Sequence, residues 1–578
     1  MPNLSQIKRK RMLEFLEKIK EEHKNDDKML IALGEIESEL NAKKYGLVWE
    51  EHEEKVDVQM RTYIPVFTEV KEREISAVSD KAYNFLLEGD NLHSLYLLEK
   101  THKGKIDVIY IDPPYNTGKS FIYDDKMIGD DDEYKHSKWL SFMDKRLRIA
   151  QRLLKINGII FISIGETEIS NLKLLCDDIF GEVNCLGIVP RLMKTGGNKG
   201  RFFSPNIDYI LVYAKDVSQA KDFKANLDDA LVKKLYNKTE TNGERKGERY
   251  RPFGLYQSSL DERPNQRYYI ECPDGTFAIP PGTSMPVKVL DGEKVLPNKG
   301  DGCWRWSQDR YIEEKKKGNL VFIESKDGVL IQPNGNKSKW NVYTKIWLSD
   351  RAEEGQTPTN FISEFENRHS AKELKDIGLD FDFAKPTKLI KYLFSITRIG
   401  NGGVFLDFFA GSGTTGQAVL ELNKEDGGNR RFILCTNNES QICDNVTYPR
   451  IKTVIMGNRV DGSTYSDGIS ANLKYYRTDF VARDEEFLSD ALLEHIAEMI
   501  QLEHGVKIDD RQYLMVMSDI EADELQKHFG EYNGVKALYV SKNVLLTTQQ
   551  LKTFDGVEIH IIPDDYFKFE LKEEGQTW

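Results

Sequence analysis

Cysteine is scarce in this 578-residue sequence: there are six, Cys176, Cys185, Cys272, Cys303, Cys435 and Cys443, none paired as C-x-x-C and none near a histidine cluster. That argues against a disulfide scaffold and against zinc, and predicts reduced, mostly buried thiols and no metal. Long apolar runs are missing as well; none approaches the roughly 20 residues needed to cross a bilayer. Met1 to Lys24 is charged and helix-like and lacks the apolar core of a signal peptide, so a cytoplasmic location with no membrane partner is expected. There is no internal repeat and no low-complexity tract. Nor is there a general excess of positive charge: the net charge of −13 excludes a protein basic all over, although a local positive surface suffices to bind nucleic acid.

Such a stretch is present. Between Arg191 and Leu260 fourteen lysines and arginines stand against eight acids, concentrated in "MKTGGNKGRFF" and "NGERKGERYR", whereas the segment after Asp479 is acidic. The length predicts several domains. Leu4 to Ala42 places apolar residues at helical spacing among Lys and Glu, and "KNDD" breaks them into a helical hairpin. From Lys81 strands alternate with helices: "YNFLLEGD", "NLHSLYLLEKT", "IDVIYID", a helix ending "RLRIAQRLL", "GIIFISI", "ISNLKLLCDDIF" and "DYILVYAK". The alternation predicts an α/β fold with a parallel sheet and helices on its faces. It fails over a long stretch rich in Gly, Pro, Asn and aromatics, read as an inserted domain with short strands such as "GNLVFIES". It resumes at Lys385 with helix "PTKLIKYLFSIT", strand "GVFLDFF", loop "AGSGTTG" and strand "RRFILCTNNE". Strands "QYLMVM", "KALYVS" and "EIHIIP" predict a small terminal α/β unit.

Two loops carry chemistry. Ligands of open parallel sheets sit beyond the carboxyl ends of the strands, so "DFFAGSGTTG" and "IDPPY" are placed to line one crevice. Gly411 and Gly413 allow close backbone approach, and the following helix offers free N–H groups. The loop nearly spells a P-loop, but Gln417 stands where the phosphate-binding lysine belongs, which disfavours a nucleoside triphosphate. Glu439, after the next strand, is a candidate acceptor for ribose hydroxyls, and Asp90 for an adenine amine; either could equally be a solvated loop acid. In "DPPY", Asp112 is an acceptor, the Pro113 carbonyl is a second, and Tyr115 is a flat surface. Together they describe a socket for an aromatic ring bearing an exocyclic amine, with Pro-Pro as a simple turn the alternative.

These residues resemble the amino-directed DNA methyltransferases, with "DPPY" as the amine-binding motif and "DFFAGSG" as the S-adenosylmethionine motif. With DPPY first, then an insert, then "FAKPTKLI" and the glycine loop, the order is that of the circularly permuted β group. Stretches such as "LLEGDNLHSLYLLEKTHKGKIDVIYIDPPYNTG", "YKHSKWLSFMDKRLRIAQRLL" and "NNESQICDNVTYPRIKTVI" look like modification (Mod) subunits of type III restriction-modification systems. The resemblance implies a Rossmann-like S-adenosylmethionine-dependent methyltransferase sheet acting on adenine N6 in double-stranded DNA. It implies that Asp112, Pro113, Pro114 and Tyr115 bind and activate the base. Asp90, Lys385, Pro386, Asp407, Phe409, Gly411, Gly413, Thr414 and Glu439 would hold the cofactor. A homodimer and an ATP-dependent helicase-nuclease partner are implied on the same ground.

The expected organisation is a helical segment over 1–60 serving dimerisation, a catalytic domain over 81–190 and 375–478, a target-recognition insert over 191–374, and a terminal docking domain over 479–578. DNA contacts are expected from Lys194, Lys199, Arg201, Arg245, Lys246, Arg249 and Arg251. "GCWRWSQDR" adds Trp304, Arg305 and Trp306, either as base contacts or as packed core. Cytosine-C5 methylation would need a nucleophilic thiol, and nothing near Cys272 suggests one. Alternatives are a cytosine-N4 enzyme, a stand-alone methyltransferase without a restriction partner, an RNA methyltransferase, a nonenzymatic regulator, and a chain that also cuts DNA. For the last, "PDDYFKFELK" superficially matches nuclease carboxylates but reads as a single alternating strand.

Overall fold

The computed structural model describes residues 4–24, 26–41, 49–78, 81–117, 134–196, 202–227, 229–381, 383–508, 512–532 and 534–575. The chain divides into two compact units, Met1–Lys221 with Thr359–Trp578, and Asp222–Pro358. The second is narrower than the insert expected at 191–374, because both flanks of that range belong to the first unit.

The first unit is built on a large mixed sheet whose nine main strands are β1 (Tyr63–Glu69), β2 (Tyr83–Glu88), β3 (Ile106–Ile111), β4 (Leu154–Ile164), β5 (Cys185–Leu192), β6 (Ile207–Ala214), β7 (Gly402–Asp407), β8 (Asn429–Thr436) and β9 (Asn472–Ala482). They lie in the order β1-β9-β2-β8-β7-β3-β4-β6-β5. The centre is parallel, from β9 through β4. Both ends are antiparallel, β1 against β9 and β6 against β4 and β5. The expected parallel sheet thus forms the centre, and antiparallel strands are added at both margins. The central strands are apolar along their length because helices bury both faces; every residue of β2 and β3 is buried.

β3 leads on to β4 at one side while β7 leads on to β8 at the other, so the chain reverses direction across the sheet between β3 and β7. Loops from such neighbours diverge and leave a crevice at their carboxyl ends. The DPPY loop follows β3 and the glycine loop follows β7, with Leu406 paired to Ile109. The sequence order therefore converges on one place despite some 270 intervening positions; Lys385 and Asp112, which touch, are 273 residues apart.

Other elements depart from expectation. "DALLEHIAEMIQLE" forms two helices, Leu488–Leu493 and Ile496–His504. "PDDYFKFELK" is not a strand: Asp564–Glu573 is a helix that buries Tyr566, Phe567, Glu570 and Leu571 on one face. Glu570 accepts hydrogen bonds from Tyr96 and Lys100, so this acid is part of a packed interface. The terminal parallel sheet does form, from Tyr513–Val516, Ala537–Ser541 and Glu558–Ile562. At the other end of the chain, helices Leu4–Glu22 and Asp27–Asn41 are tied by Lys20 to Glu37. Among the described residues no helix is long and apolar enough to cross a membrane.

In the second unit an antiparallel sheet carries strands Leu320–Glu324, Trp340–Trp347 and Arg249–Gly254 side by side. Its core includes Leu255, Tyr268, Ile270, Trp304, Trp306 and Tyr311. Trp304 and Trp306 are thus interior packing, which decides that pair in favour of core.

Candidate active site

Asp112 leaves β3 half-buried, and both its carboxylate oxygens accept from the Lys385 ammonium at 2.6 Å. The same ammonium donates to the Tyr115 hydroxyl at 3.0 Å and lies 5.0 Å from the centre of that ring. Tyr115 in turn donates to Asp208 Oδ2 at 3.2 Å. Asp208, on β6, is clasped by the fully buried Arg191 of β5, Nε to Oδ1 at 2.8 Å and Nη2 to Oδ2 at 2.5 Å. Arg191 also donates to the Phe365 carbonyl and to Asn367 Oδ1, at 2.8 and 3.0 Å. Arg191, expected as the first residue of the insert, is fully buried on β5 in the first unit. Each positive charge in this chain of contacts meets a carboxylate, which is how burial of charge becomes tolerable.

Burial, reinforced by the Asp112 and Asp208 carboxylates, pushes the Tyr115 phenol well above its ordinary pKa. Tyr115 is therefore a neutral hydroxyl and a flat ring at physiological pH, not a base. Its ring is seated against Gly165, where an added Cβ would stand 2.8 Å from Tyr115 Cδ2, so only glycine leaves room. Trp139 Nε1 donates to the Pro114 carbonyl at 2.8 Å, while among the described residues no donor takes the Pro113 carbonyl. Asn116 follows with φ +52°, a left-handed conformation that asparagine tolerates. The fully buried Glu168 holds it there, accepting from Asn116 Nδ2 at 2.5 Å, paired with His136 Nδ1 at 2.6 Å, and accepting from Asn171 at 2.8 Å.

The glycine loop is held from beneath. Asp407 accepts from the Phe409 N–H at 3.0 Å and from the Thr415 hydroxyl at 2.5 Å. Burial pushes its carboxyl up to about 7, against the pull of those two donors. Gly411 and Gly413 adopt φ of +47° and +78°. A Cβ on Gly411 would make ordinary van der Waals contact with the Phe409 carbonyl oxygen at 3.8 Å and Phe381 Cζ at 3.9 Å, so the constraint at this position is the left-handed φ. The buried Arg450 donates to Gln417 Oε1 at 2.7 Å, Ser412 Oγ at 3.0 Å, Thr414 Oγ1 at 2.8 Å and Thr387 Oγ1 at 3.0 Å. Gln417, where a P-loop would carry lysine, is thereby an internal brace. Thr414 is used in the same way, also donating to the Lys385 carbonyl at 3.3 Å. Phe409 lies against Phe142, ring centres 5.8 Å apart.

Asp90 caps the helix Asn91–His102, accepting from the Leu92 N–H at 2.7 Å, and sits 3.3 Å from the buried Arg146 guanidinium. Arg146 also binds Asn91 Oδ1 at 2.5 Å and Glu54 Oε1 at 2.9 Å, and Asn91 donates to the Phe408 carbonyl at 2.8 Å. This ties Glu54, within the helical segment expected over 1–60, to the glycine loop. Pro386 is the residue before helix Thr387–Ile396, whose first N–H is taken by Glu373. Glu439 opens a short 3-10 turn after β8. Asn438 is committed to Asp444, donating from Nδ2 at 2.7 Å, whereas Asn437 Oδ1 is buried with no partner. Two side chains, Asn437 and Glu439, thus stand as candidates for the role assigned to Glu439 alone.

The cation set in the insert is uneven. Lys199 and Arg201 lie outside the described residues, and Lys194 follows β5 in the catalytic unit. Arg245 is paired with Asp350 at 2.9 Å. Lys246 and Arg249 are exposed. Arg251 is partly buried against Tyr236 and Phe253. Cys272 is buried and pushed up to about 11, which removes it as a ready thiolate.

Sequence reasoning missed Arg191, Asp208, Glu168, Arg146 and Arg450. Only Arg450, in a helix whose one other charge, Lys452, is exposed, left a trace, as a charged residue on an apolar face.

The DPPY loop and the glycine loop thus leave adjacent strand ends at one switch point, with Lys385 bridging Asp112 and Tyr115. Residues 106–447, more than half of the chain, match the family described as DNA methylase, and the chain belongs to that family. It is 30% identical to the EcoPI Mod subunit of a type III restriction-modification enzyme from Escherichia phage P1, over 72% of this chain and 66% of that protein. It is 34% identical to the StyLTI Mod subunit of Salmonella typhimurium, over 62% of this chain and 53% of that one. The type II methyltransferase M.KpnI of Klebsiella pneumoniae is 32% identical over 64% of this chain and 84% of its own. The match therefore spans about half to two thirds of the length of the two Mod subunits. Among solved structures, the M1.HpyAVI–SAM complex aligns over 63% of this chain and 97% of its own with 12% identity and a TM-score of 0.29, a score too low to argue from.

Proposed function

We propose that this chain transfers a methyl group from S-adenosylmethionine to adenine N6 in double-stranded DNA, as the recognition and modification subunit of a type III restriction-modification system. The observation that carries the reading is the convergence of Asp112, the Pro113 carbonyl and the Tyr115 ring at the strand end next to the one that bears the glycine turn. The residues present suit the cofactor. The glycine turn leads into the N-terminus of helix Thr414–Asp426, the orphaned Asn437 oxygen and Glu439 suit ribose hydroxyls, and Gln417 is committed to Arg450 rather than to phosphate.

When bound, the cofactor supplies an electrophilic sulfonium methyl. The chain's own part is placement. Tyr115 stacks the extrahelical base, worth on the order of 1–3 kcal/mol against the cost of unstacking it. Asp112 and the Pro113 carbonyl accept the two amine hydrogens, which turns the nitrogen lone pair outward. Because Lys385 occupies both Asp112 oxygens, admission of the base requires the ammonium to share or release one of them. The neutral Tyr115 hydroxyl, bridging Lys385 and Asp208, keeps the ring plane fixed during that exchange. No side-chain nucleophile is required, and Cys272 is not competent to be one.

The Mod resemblance supports an asymmetric recognition sequence methylated on one strand, a homodimer, a cytoplasmic location and an ATP-dependent helicase-nuclease partner. The insert Asp222–Pro358 is the target-recognition domain in this reading. Methylation-sensitive sequencing of DNA from cells with and without the protein tests it: one N6-methylated motif, modified on a single strand, is expected. N4-methylcytosine, methylation of both strands, or methylation of RNA alone would each displace the reading.

A further inference from the structure

Two arginines of the insert converge on one phenylalanine. Arg305 holds its guanidinium carbon 4.3 Å from the centre of the Phe253 ring, and Arg251 holds its own at 5.5 Å from the same ring and 5.6 Å from Tyr236. Each is fixed by its backbone. Arg251 and Phe253 are two residues apart on the strand Arg249–Gly254 and so share a face. The Arg305 N–H donates to the Leu255 carbonyl at 2.9 Å, and its flanking Trp304 and Trp306 are sunk in the core.

Neither guanidinium meets a carboxylate among the described residues, and Arg251 Nε is buried without any acceptor. Arg245 of the same unit also lies over an aromatic ring, that of Trp347, but is paired with Asp350. Arg267 is fully buried, gives Nε and Nη1 to the Ser284, Pro280 and Gly302 carbonyls beside Asp301, and leaves only Nη2 without a partner, in the interior. Two like charges over one ring, one with a desolvated and unsatisfied donor, cost free energy unless an acceptor arrives. A guanidinium held by its face against a ring keeps its in-plane N–H edge for a planar target with two acceptors; at Arg251 that edge is the terminal pair of nitrogens, since Nε is buried.

We infer that Arg251 and Arg305, braced by Phe253, form a base-reading site for the major-groove edge of guanine, whose O6 and N7 lie in one plane at the spacing of that fork. This rests on the proposed DNA-methylating function and assigns the pair within it. Exposed, unbraced Lys246 and Arg249 suit phosphate, where direction matters less; a ring-held guanidinium has surrendered the freedom that a phosphate contact would use.

The experiment uses the full-length protein and duplexes bearing the motif it methylates in cells, each guanine in turn replaced by 7-deazaguanine, which lacks the N7 acceptor. At one guanine the replacement should weaken wild-type binding on the order of tenfold. R251K and R305K keep the charge and lose the fork. Each should bind the unmodified motif on the order of tenfold more weakly and be indifferent to the same replacement. Phe253→Leu, which keeps apolar bulk and removes the brace, should reproduce the loss and covers the case of an arginine variant that does not fold. Equal weakening on motif-bearing and motif-free duplexes would make the pair a phosphate contact and overturn the inference. So would variants as sensitive to 7-deazaguanine as wild type, or a wild type insensitive at every guanine. If wild type methylates no DNA at all, the underlying function falls; a methylated motif with unmoved variants removes the arginine pair alone.

Discussion

The catalytic unit and the insert treat inward-facing positive charge differently: the insert closes Lys345 on Glu240 and sets Arg267 beside Asp301, yet it also keeps two partly buried arginines that meet no carboxylate among the described residues. Around the base socket, Lys385 is closed on Asp112, Arg191 on Asp208, and Arg146 on Glu54 and Asp90. In the insert, Arg251 and Arg305 lie over an aromatic ring and keep their edges unspent. A site that must hold reacting atoms in fixed positions gains from internal pairing, since nothing reorganises during reaction. A surface that must tell one sequence from another gains from donors satisfied only by the right partner, because a wrong one leaves them unpaired.

The contrast predicts where a lost charge is costly. Asp112→Ala strands the Lys385 ammonium in a nearly buried position and removes one acceptor for the amine. We expect turnover to fall by on the order of a hundredfold or more, with cofactor affinity by calorimetry largely retained. Near-normal turnover of radiolabelled methyl groups into DNA would break both the mechanism and the comparison.

In the insert the expected effect is smaller and depends on salt. Removing Lys246 and Arg249 together should reduce affinity about tenfold at physiological ionic strength and lower the slope of log K against log salt by about two, since each phosphate contact releases about one counterion. Arg245→Ala should leave that slope nearly unchanged, because Asp350 already neutralises it. Fluorescence titrations across a salt series check both. Equal slopes for the two variants would show that internal pairing does not govern which cations meet DNA.

What could be read in the sequence follows the same division. The central strands β2, β3, β7 and β8 were legible because burial on both faces writes them as apolar runs, and the two loops were legible because glycine, proline and acid stand at strand ends. β9 was not, since "NLKYYRTDFVA" carries charges whose partners are remote: Lys474 pairs with Glu69 and Arg477 with Glu88. The same limit applied at the site. Asp112 and Tyr115 announce themselves by motif, whereas Asp208, Arg191 and Glu168 act through contacts that no local spacing encodes. The segment Asp564–Glu573 failed differently: its aromatic and charged residues fit a two-residue period, but the buried set Tyr566, Phe567, Glu570 and Leu571 has helical spacing.

Asp407 sharpens the comparison, being an acid in the catalytic unit with no cation as its direct partner. Its carboxyl titrates at about 7 in the folded chain, raised mainly by burial from an ordinary 3.8. From about pH 4 to about pH 7 the folded state therefore keeps a proton that the unfolded chain has released. Its stabilising contribution is complete below the lower value and is lost as pH rises through the upper one. Asp407→Asn keeps an acceptor for Phe409 N–H and abolishes the titration. The melting temperature of wild type minus variant should accordingly decrease by a few degrees between about pH 5 and pH 8. A difference independent of pH would mean that the two hydrogen bonds, and not burial, fix its charge.

Tyr115→Phe is the finest cut. It keeps the stacking ring and deletes only the hydroxyl that accepts from Lys385 and donates to Asp208. A hydrogen bond of this kind is worth on the order of 1 kcal/mol, so kcat should drop a few-fold while DNA affinity holds, in contrast to Tyr115→Ala, which removes the platform and should abolish turnover. Because the phenol is held far above its ordinary pKa by burial and two carboxylates, it does not ionise in the working range. The pH–rate profile of Tyr115→Phe between about pH 6 and pH 9 should therefore parallel that of wild type. If the variant instead lost an alkaline limb, the hydroxyl would be acting as an acid or base, and the closed, prepaired character of the catalytic unit would have to be abandoned at the residue that faces the substrate.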